Sequence, residues 1–272
     1  MIWVWIALAP ILGALVYGGE RVMRARMQRR QGPPLLQPFY DMFKLLDKRT
    51  LIVHSPHALL AVAHFAVLWF CIGAIFLGWN LLYIIFLHLF AQILLILAGY
   101  SVRSVYSHVG ANRELLMLVA YEPVLILVAV GLYLVSGSFE ITDIMQQSGY
   151  LPKLLPLFAA LAMIVPIKVK KSPFDIGEAH QEIVGGVEIE YSGVFYEFLY
   201  MSRFLEYLFI YSFVFLFGGV SLWLGSLLVA GMFLLVNLVD NATARVKTAD
   251  MVKIIYSVAI TLAVINILGV LL

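Results

Sequence analysis

The stretch NLLYIIFLHLFAQILLILAGYS, residues 80–101, contains no Asp, Glu, Lys or Arg. A helix of about 20 apolar residues, rising about 1.5 Å per residue, crosses the roughly 30 Å hydrocarbon core of a bilayer. We therefore expect this stretch to be a membrane-spanning helix. The whole chain of 272 residues has the same character, with 63% hydrophobic and 12% charged residues and a mean hydropathy of +0.97. Soluble domains carry about 25% charged residues, so the composition indicates an integral membrane protein.

The same length criterion predicts about eight membrane-spanning helices. They cover residues 1–19, 57–78, 80–101, 114–136, 151–168, 196–216, 219–239 and 252–272. The fifth span is short and contains Pro152, Pro156 and Pro166, which makes its ends the hardest to assign. Because these spans and their connections occupy residues 1–272, we predict one all-α membrane domain and no separate soluble domain.

The basic residues predict the orientation of these spans. Eight spans place alternate connections on one side of the membrane, and that side receives 16 of the 18 Lys and Arg residues. The connections involved are residues 20–50, 102–113, 168–195 and 240–253. Cytoplasmic loops are enriched in Lys and Arg. We therefore predict that these connections face the cytoplasm and that both termini lie on the outer side.

The first cytoplasmic loop, residues 20–50, combines a basic cluster with an amphipathic pattern. Pro33 and Pro34 end any continuation of the first span, and apolar side chains then recur at helical spacing from Leu35 to Leu46. This pattern predicts a helix that lies flat at the membrane interface. Two interpretations are open: a membrane-surface anchor, which composition favours, or a docking surface for an acidic partner or anionic lipid. The docking interpretation uses the arginines Arg24, Arg26, Arg29 and Arg30.

Two glutamates lie within or beside the fourth span. Glu122 is in the apolar segment LVAYEPVLILV, and Glu114 lies eight residues earlier on a similar helical face. A charge at membrane depth costs several kcal/mol, and such residues usually face a cavity, a partner or a proton path. The pair therefore indicates a polar line that enters the membrane from the cytoplasmic side. The alternative is a protonated Glu122 that is satisfied by a neighbouring helix.

The connection 169–195 concentrates acidic residues in KKSPFDIGEAHQEIVGGVEIEYSG, residues 170–193. Pro173 with Ser172 as its cap predicts a short helix that places Asp175, Glu178 and Glu182 on one face. Gly185 and Gly186 end this helix, and two further acids, Glu188 and Glu190, follow in a bend. Carboxylates this close raise one another's pKa and titrate as a coupled set, which suits the entrance of a proton relay. A solvated acidic loop is equally compatible with the charge pattern.

Other polar residues give weaker signals. His54, His57, His88 and Gln92 are interpreted as interfacial or helix-contact groups, because no set of residues has metal-ligand spacing. Arg203 and Glu206 are predicted to pair with each other within the sixth span. The one cysteine cannot hold an iron–sulfur cluster, and the sequence has no nucleic-acid-binding signature.

Three blocks of this sequence together resemble a known family. RMQRRQGPPLLQPFYDMFKLLDK (26–48), AYEP (120–123) and FDIGEAHQEIVGGVEIEYSG (174–193) are similar to the membrane subunit shared by respiratory complex I and energy-converting hydrogenases. In complex I this subunit lies beside the quinone chamber. Complex I members carry a longer insert between the elements that are fused here as QRRQGPPLLQP (28–38), and they tend to have an acid where His180 stands. Both departures resemble the compact form found in membrane-bound nickel–iron hydrogenases and formate hydrogenlyase.

The resemblance implies a role for each group of residues. The acids Asp175, Glu178, Glu182, Glu188 and Glu190 would be a proton or ion entrance, continued into the membrane by Glu114 and Glu122. The first-loop residues Glu20, Arg29, Arg30, Gln37 and Asp41 would contact the hydrophilic arm. The chain would perform no bond chemistry and hold no cofactor. A nickel–iron centre and iron–sulfur clusters would belong to the partner subunits.

The resemblance also implies the assembly and its setting. The partners would be hydrogenase large and small subunits, iron–sulfur subunits and antiporter-like membrane subunits, in the cytoplasmic membrane of a prokaryote. The expected function is membrane anchoring of the redox arm and coupling of its reaction to proton or sodium movement. Three alternatives are open: a quinone- or methanophenazine-site subunit, a secondary transporter and a passive anchor. Secondary transporters usually show inverted repeats, and none is found in this sequence.

Overall fold

The computed structural model describes residues 2–272, apart from the side chain of His180. Its longer helices are α1 (Ile2–Met27), α2 (Gln37–Asp47), α3 (Ser55–Phe76), α4 (Leu81–Tyr100), α5 (Val105–Ser136), α6 (Leu155–Lys168), α7 (Gly193–Leu216), α8 (Leu222–Ala242) and α9 (Thr248–Leu271). Within the described residues, seven of these helices are long and apolar enough to cross a membrane. The prediction of an all-α integral membrane protein is confirmed. The eighth predicted span corresponds to the shorter helix α6.

Short elements fill the connections. They are Ile141–Ile144, Tyr150–Lys153, His180–Ile183 and the 3₁₀ helix Gly186–Glu190, and a π-helical stretch, Ile255–Ile260, lies inside α9. The fifth span was predicted at 151–168, but Leu154 has φ −117° and ψ 27° and interrupts the helix there. The continuous part, α6, therefore begins at Leu155, with Pro156 in its first turn, where a proline needs no hydrogen-bond partner.

Helix α7 is the centre of the bundle. It is the most buried of the long helices, whereas α1, α8 and α9 expose most of their apolar surface, as lipid-facing helices do. It contacts α1, α2, α3, α6 and α8. Helix α1 approaches it so closely that a Cβ on Gly13 would lie 2.3 Å from the carbonyl oxygen of Phe204. Glycine is required there because any side chain would separate the two backbones.

The basic connections gather at one end of the bundle, which we call the basic rim. Gln28 bonds Asn241 at 2.7 Å, and the Ser172 hydroxyl donates to the carbonyl oxygen of Thr243 at 2.8 Å. The opposite end is joined separately, for example by the amide of Val220, which donates to the carbonyl oxygen of Gln147 at 2.8 Å. The basic connections therefore share one rim. Their assignment to the cytoplasm stays a prediction.

The amphipathic helix predicted in the first loop forms as α2. Pro38 and Leu45 are buried against the bundle, whereas Tyr40 and Phe43 are exposed. A helix at the basic rim with exposed aromatic side chains is typical of an interfacial segment.

The helix predicted from Pro173 does not form. The segment 169–192, which we call the acidic loop, contains the four-residue turn His180–Ile183 and the 3₁₀ helix Gly186–Glu190. Ser172 bonds Thr243 instead of capping a helix. The loop lies directly on α5, where a Cβ on Gly110 would be 2.6 Å from the Cα of Gly186. The prediction was wrong because the acids find their partners on other elements, and this requires an irregular path.

Candidate functional site

Two acids of the acidic loop form its outer attachment. Glu182 accepts from Arg113 of α5 at 2.7 Å and from Arg245 at 3.2 Å. Asp175 accepts from Arg245 at 2.9 Å. The hydrogen bond from Arg113 lowers the pKa of Glu182 from its ordinary value, so this carboxylate is ionised at neutral pH. These pairs tie the loop to α5 and to the connection between α8 and α9.

Three other acids form an inner cluster with two cations. Lys170 lies 2.8 Å from Glu114 and 2.6 Å from Glu178. Arg203 of α7 lies 2.9 Å from Glu178 and also pairs with Glu188. All three carboxylates are buried. The inner cluster therefore holds three acids and two bases, so its protonation is finely balanced.

The environment of the inner cluster shifts two pKa values. Burial opposes the charged form of Lys170, but the carboxylates of Glu114 and Glu178 outweigh burial and raise its pKa. Burial raises the pKa of Glu188 to about 7, against the opposing effect of Arg203. Lys170 is therefore a fixed positive charge, whereas Glu188 changes protonation near neutral pH.

A cavity of about 100 Å³ connects the acidic loop to the membrane interior. The inner cluster lines one end of it, and Glu206, Lys168 and Gln92 line the other. A water molecule needs about 10–15 Å³ of such space and two to four polar partners. The cavity thus has room and polar lining for several waters between the two groups of charges.

A second cluster, the membrane cluster, closes the inner end of the cavity. Glu206 of α7 lies 2.6 Å from Lys168, 2.5 Å from Gln92 and 3.3 Å from His88 Nε2. Lys168 Nζ is in turn 2.8 Å from His88 Nε2 and 3.4 Å from the hydroxyl of Tyr121. These side chains come from α4, α5, α6 and α7. The buried carboxylate is thereby paired and hydrogen-bonded, as a charge at this depth requires.

Glu122 lies beyond the membrane cluster. It is 6% exposed, and neither carboxyl oxygen has a hydrogen-bond partner within the described part of the chain. Its Oε2 lies 3.9 Å from Nδ1 of His88. A buried carboxyl group without a hydrogen bond is rare in stable proteins and calls for a functional explanation.

The structure separates the predicted pathway residues into three groups. Glu114, Glu178 and Glu188 line the cavity, and Glu122 lies beyond its inner end. Asp175 and Glu182 belong to the outer attachment of the loop. Glu190 is half-buried and is not part of the cavity lining.

Sequence reasoning missed the membrane cluster. Arg203 and Glu206 were expected to pair with each other, but Arg203 pairs with the acidic loop and Glu206 pairs with Lys168. Their positions at i and i+3 allow an intrahelical pair. Partners on other helices compete successfully because they supply several hydrogen bonds at once. The shared face of His88 and Gln92 was a usable signal, although it did not identify Glu206 as their common partner.

The predicted docking residues also divide. Arg29 and Arg30 are exposed at the basic rim. Gln37 donates to Asp41 at 2.9 Å, and Arg21 donates to Asp41 at 2.8 Å. Glu20, however, is 1% exposed. It pairs with Lys171 and accepts from Tyr207, so its carboxylate joins α1 to the acidic loop and α7 and does not lie on a docking surface.

Glu188 gives a direct test of the inner cluster. We expect a protonated carboxyl signal in the infrared difference spectrum that is present at acidic pH and disappears as the pH rises through about 7. The sign follows from the cause, because burial stabilises the neutral form and that stabilisation is lost on ionisation. Glu188→Gln should remove this signal. Glu182→Gln is the matched control, and a signal that disappears with this control and persists in Glu188→Gln would contradict the assignment.

Comparison with known proteins gives consistent matches. The profile of the family described as NADH dehydrogenase matches residues 1–271. A membrane-complex relative, one of the chains of the NADH-quinone oxidoreductase of Bordetella avium, is 31% identical over 235 residues, which are 73% of this chain and 66% of that protein. "NADH-ubiquinone oxidoreductase chain 1" of Mycosarcoma maydis is 31% identical over 223 residues, 73% of this chain and 67% of that one. The matches thus cover about two thirds of these curated relatives.

A solved structure shares the fold. A chain of the membrane-bound sulfane sulfur reductase, described as an archaeal respiratory membrane complex, has a TM-score of 0.86 and 21% sequence identity. The similarity covers 99% of this chain and 98% of that chain.

Proposed function

The chain belongs to the NADH dehydrogenase family as a complex I-type membrane subunit, and from this premise we propose that it couples a redox reaction in a peripheral arm to ion movement across the membrane. The acidic loop at the basic rim receives protons, and the cavity passes them to the membrane cluster and Glu122. The chain itself forms and breaks no covalent bonds of the redox substrate.

The cavity with charged groups at both ends is the observation that carries this proposal. A passive anchor has no need to bury Glu114, Glu178, Glu188, Glu206 and Glu122, because each buried carboxyl lowers stability unless it is compensated. Intramembrane ionisable groups mark ion paths and proton relays by default. The acids at the loop end and at the membrane end, with water-sized space between them, have the arrangement that proton transfer needs.

The size and lining of the cavity favour an ion path over a quinone pocket within this chain. Sites for organic ligands usually enclose about 300–1,000 Å³ and are mostly apolar. The cavity here is about 100 Å³ and is lined by carboxylates, lysines and an arginine. A quinone or methanophenazine site would therefore need walls contributed by another subunit.

For the peripheral arm we propose a nickel–iron hydrogenase. The fused element QRRQGPPLLQP, residues 28–38, is the compact form that supports this arm. The near-complete mutual coverage with the sulfane sulfur reductase chain supports a compact subunit and favours a second candidate, an arm that reduces sulfane sulfur. Copurification distinguishes the two, because a hydrogenase large subunit carries nickel and its metal content can be measured. Absence of nickel from the intact complex would overturn the hydrogenase assignment.

The coupling proposal is tested in liposomes that contain the whole purified complex. Turnover of the redox arm should generate a pH or sodium gradient, and an ionophore for that ion should abolish the gradient and accelerate turnover. Turnover without any gradient in sealed liposomes would overturn the proposal. Ion uptake by the purified single chain, without the arm, would instead support a secondary transporter.

A further inference from the structure

We propose that His88 is the proton carrier between the membrane cluster and Glu122. This inference rests on the proposed coupling function, and it names the residue that continues the path where the cavity ends.

The two ring nitrogens of His88 face different acids. Nε2 lies 2.8 Å from Lys168 Nζ and 3.3 Å from both carboxyl oxygens of Glu206. Nδ1 faces Oε2 of Glu122 at 3.9 Å and has no hydrogen-bond partner in the described part of the chain. An imidazole can accept a proton at one nitrogen and release one from the other. His88 therefore lies where a single side chain can join two carboxyl groups.

The packing of His88 fixes this orientation. Its ring stacks on Phe209 with centroids 4.0 Å apart and an angle of 13° between the planes. The side chain is fully buried, and Gln92 Nε2 lies 3.3 Å from its Nε2. The ring is thus held between α5 and α7, and a small movement of either Glu122 or the ring closes the 3.9 Å separation to hydrogen-bond length.

The transfer balances without any other reactant. Lys168 as an ammonium donates to Nε2 of a neutral His88 whose proton is on Nδ1. The Nδ1 proton moves to the ionised Glu122, and Nε2 takes a proton from Lys168. Lys168 recovers its proton from cavity water that is supplied through the acidic loop. The net change is one proton lost from the cavity and one gained by Glu122, and rotation or tautomerisation of the ring resets His88.

The groups around His88 come from each element packed against it. They are Glu206 from α7, Lys168 from α6, Tyr121 and Glu122 from α5, and Gln92 from its own helix. Lys168 also lies 4.5 Å from the centroid of the Tyr121 ring. Glu206 and Lys168 offset each other's charge. The ring thus lies between a compensated ion pair and the carboxyl of Glu122, which lacks a hydrogen bond within the described residues.

The test uses the whole complex in liposomes. His88→Phe retains a ring that can stack on Phe209 but has no exchangeable proton, and we expect the gradient per turnover to fall at least tenfold. Redox turnover with a soluble artificial electron carrier should be unchanged. The matched control is His108→Phe, which removes an exposed histidine at the start of α5 and should leave the gradient intact.

Chemical rescue separates a proton carrier from a packing group. His88→Ala leaves space for a five-membered ring, and added imidazole should restore part of the gradient. Pyrrole has a similar shape but no basic nitrogen, and it should restore nothing. Equal rescue by both compounds would overturn the carrier role in favour of packing.

The outcome for Glu122 distinguishes this inference from the proposed function. If Glu122→Gln abolishes the gradient while His88→Phe retains it, the His88 inference fails and the coupling function stands. If both variants retain the full gradient, the path through Glu122 is overturned, and the His88 inference fails with it.

Discussion

Glu122→Gln is expected to abolish the ion gradient while leaving redox turnover with a soluble artificial carrier nearly intact. The carboxyl is 6% exposed and lies beyond the inner end of the cavity. An amide has almost the same shape but cannot accept and release a proton. The side chain has no hydrogen bond to lose within residues 2–272, so we expect the complex to assemble normally.

The measurement is the ratio of ions moved to electrons transferred, in liposomes that contain the whole complex. We expect this ratio to fall at least tenfold in Glu122→Gln. A charge at membrane depth is costly, so protonation and release at this one carboxyl can control whether the path conducts. Loss of the gradient with unchanged electron transfer would locate the defect in coupling and not in the peripheral arm.

Glu140→Gln provides the matched control for this prediction. Glu140 is exposed at the end of the bundle opposite the basic rim, and its replacement should leave the ion-to-electron ratio unchanged. If Glu122→Gln behaves like this control, Glu122 has a structural role only. If it also prevents assembly, the Glu122→Asp variant, which retains a titratable group, should restore both assembly and part of the gradient.

The fold could be predicted because each span carries its own evidence. A helix in lipid must satisfy every backbone group internally, so a long apolar stretch predicts a spanning helix without knowledge of its neighbours. The same local evidence identified α2 from its helical spacing. Local evidence was insufficient at Leu154, where the fifth span is interrupted, and in the acidic loop, where a helix was expected from Pro173.

The site could be predicted only in part, because charge partners are set by helix packing. The acids of the loop were visible as a cluster in the sequence, and Glu122 was visible as a charge inside a span. Glu206 and His88, by contrast, are 118 residues apart and meet only because α4 packs near α7. The buried position of Glu20 had the same origin, since its partners Lys171 and Tyr207 lie on other elements.

Arg203 should be the residue whose loss most strongly destabilises the acidic loop. Its guanidinium pairs with Glu178 at 2.9 Å and with Glu188, and this joins α7 to the loop. Removing one member of a buried ion pair costs about 3–5 kcal/mol, because the remaining charge stays buried without compensation. We therefore expect Arg203→Met to lower the melting temperature of the purified complex by several degrees and to uncouple the gradient.

The infrared spectrum should show how the loop responds to this loss. Without Arg203, Glu178 and Glu188 face each other with Lys170 as the neighbouring base. Like charges in a buried site do not both ionise. We expect one of the two carboxyls to remain protonated at a pH well above 7, where the wild-type signal of Glu188 has disappeared.

Graded variants distinguish the ion pair from simple packing. Arg203→Lys keeps the charge but not the planar fork that contacts two carboxylates, so it should recover only part of the stability. Combining Arg203→Met with Glu188→Gln removes one uncompensated acid and should recover part of the loss as well. Arg103→Met, at an exposed arginine of the basic rim, is the control that should change neither property. Equal effects of Arg203→Met and Arg103→Met would show that the ion pairs of Arg203 do not hold the acidic loop against α7.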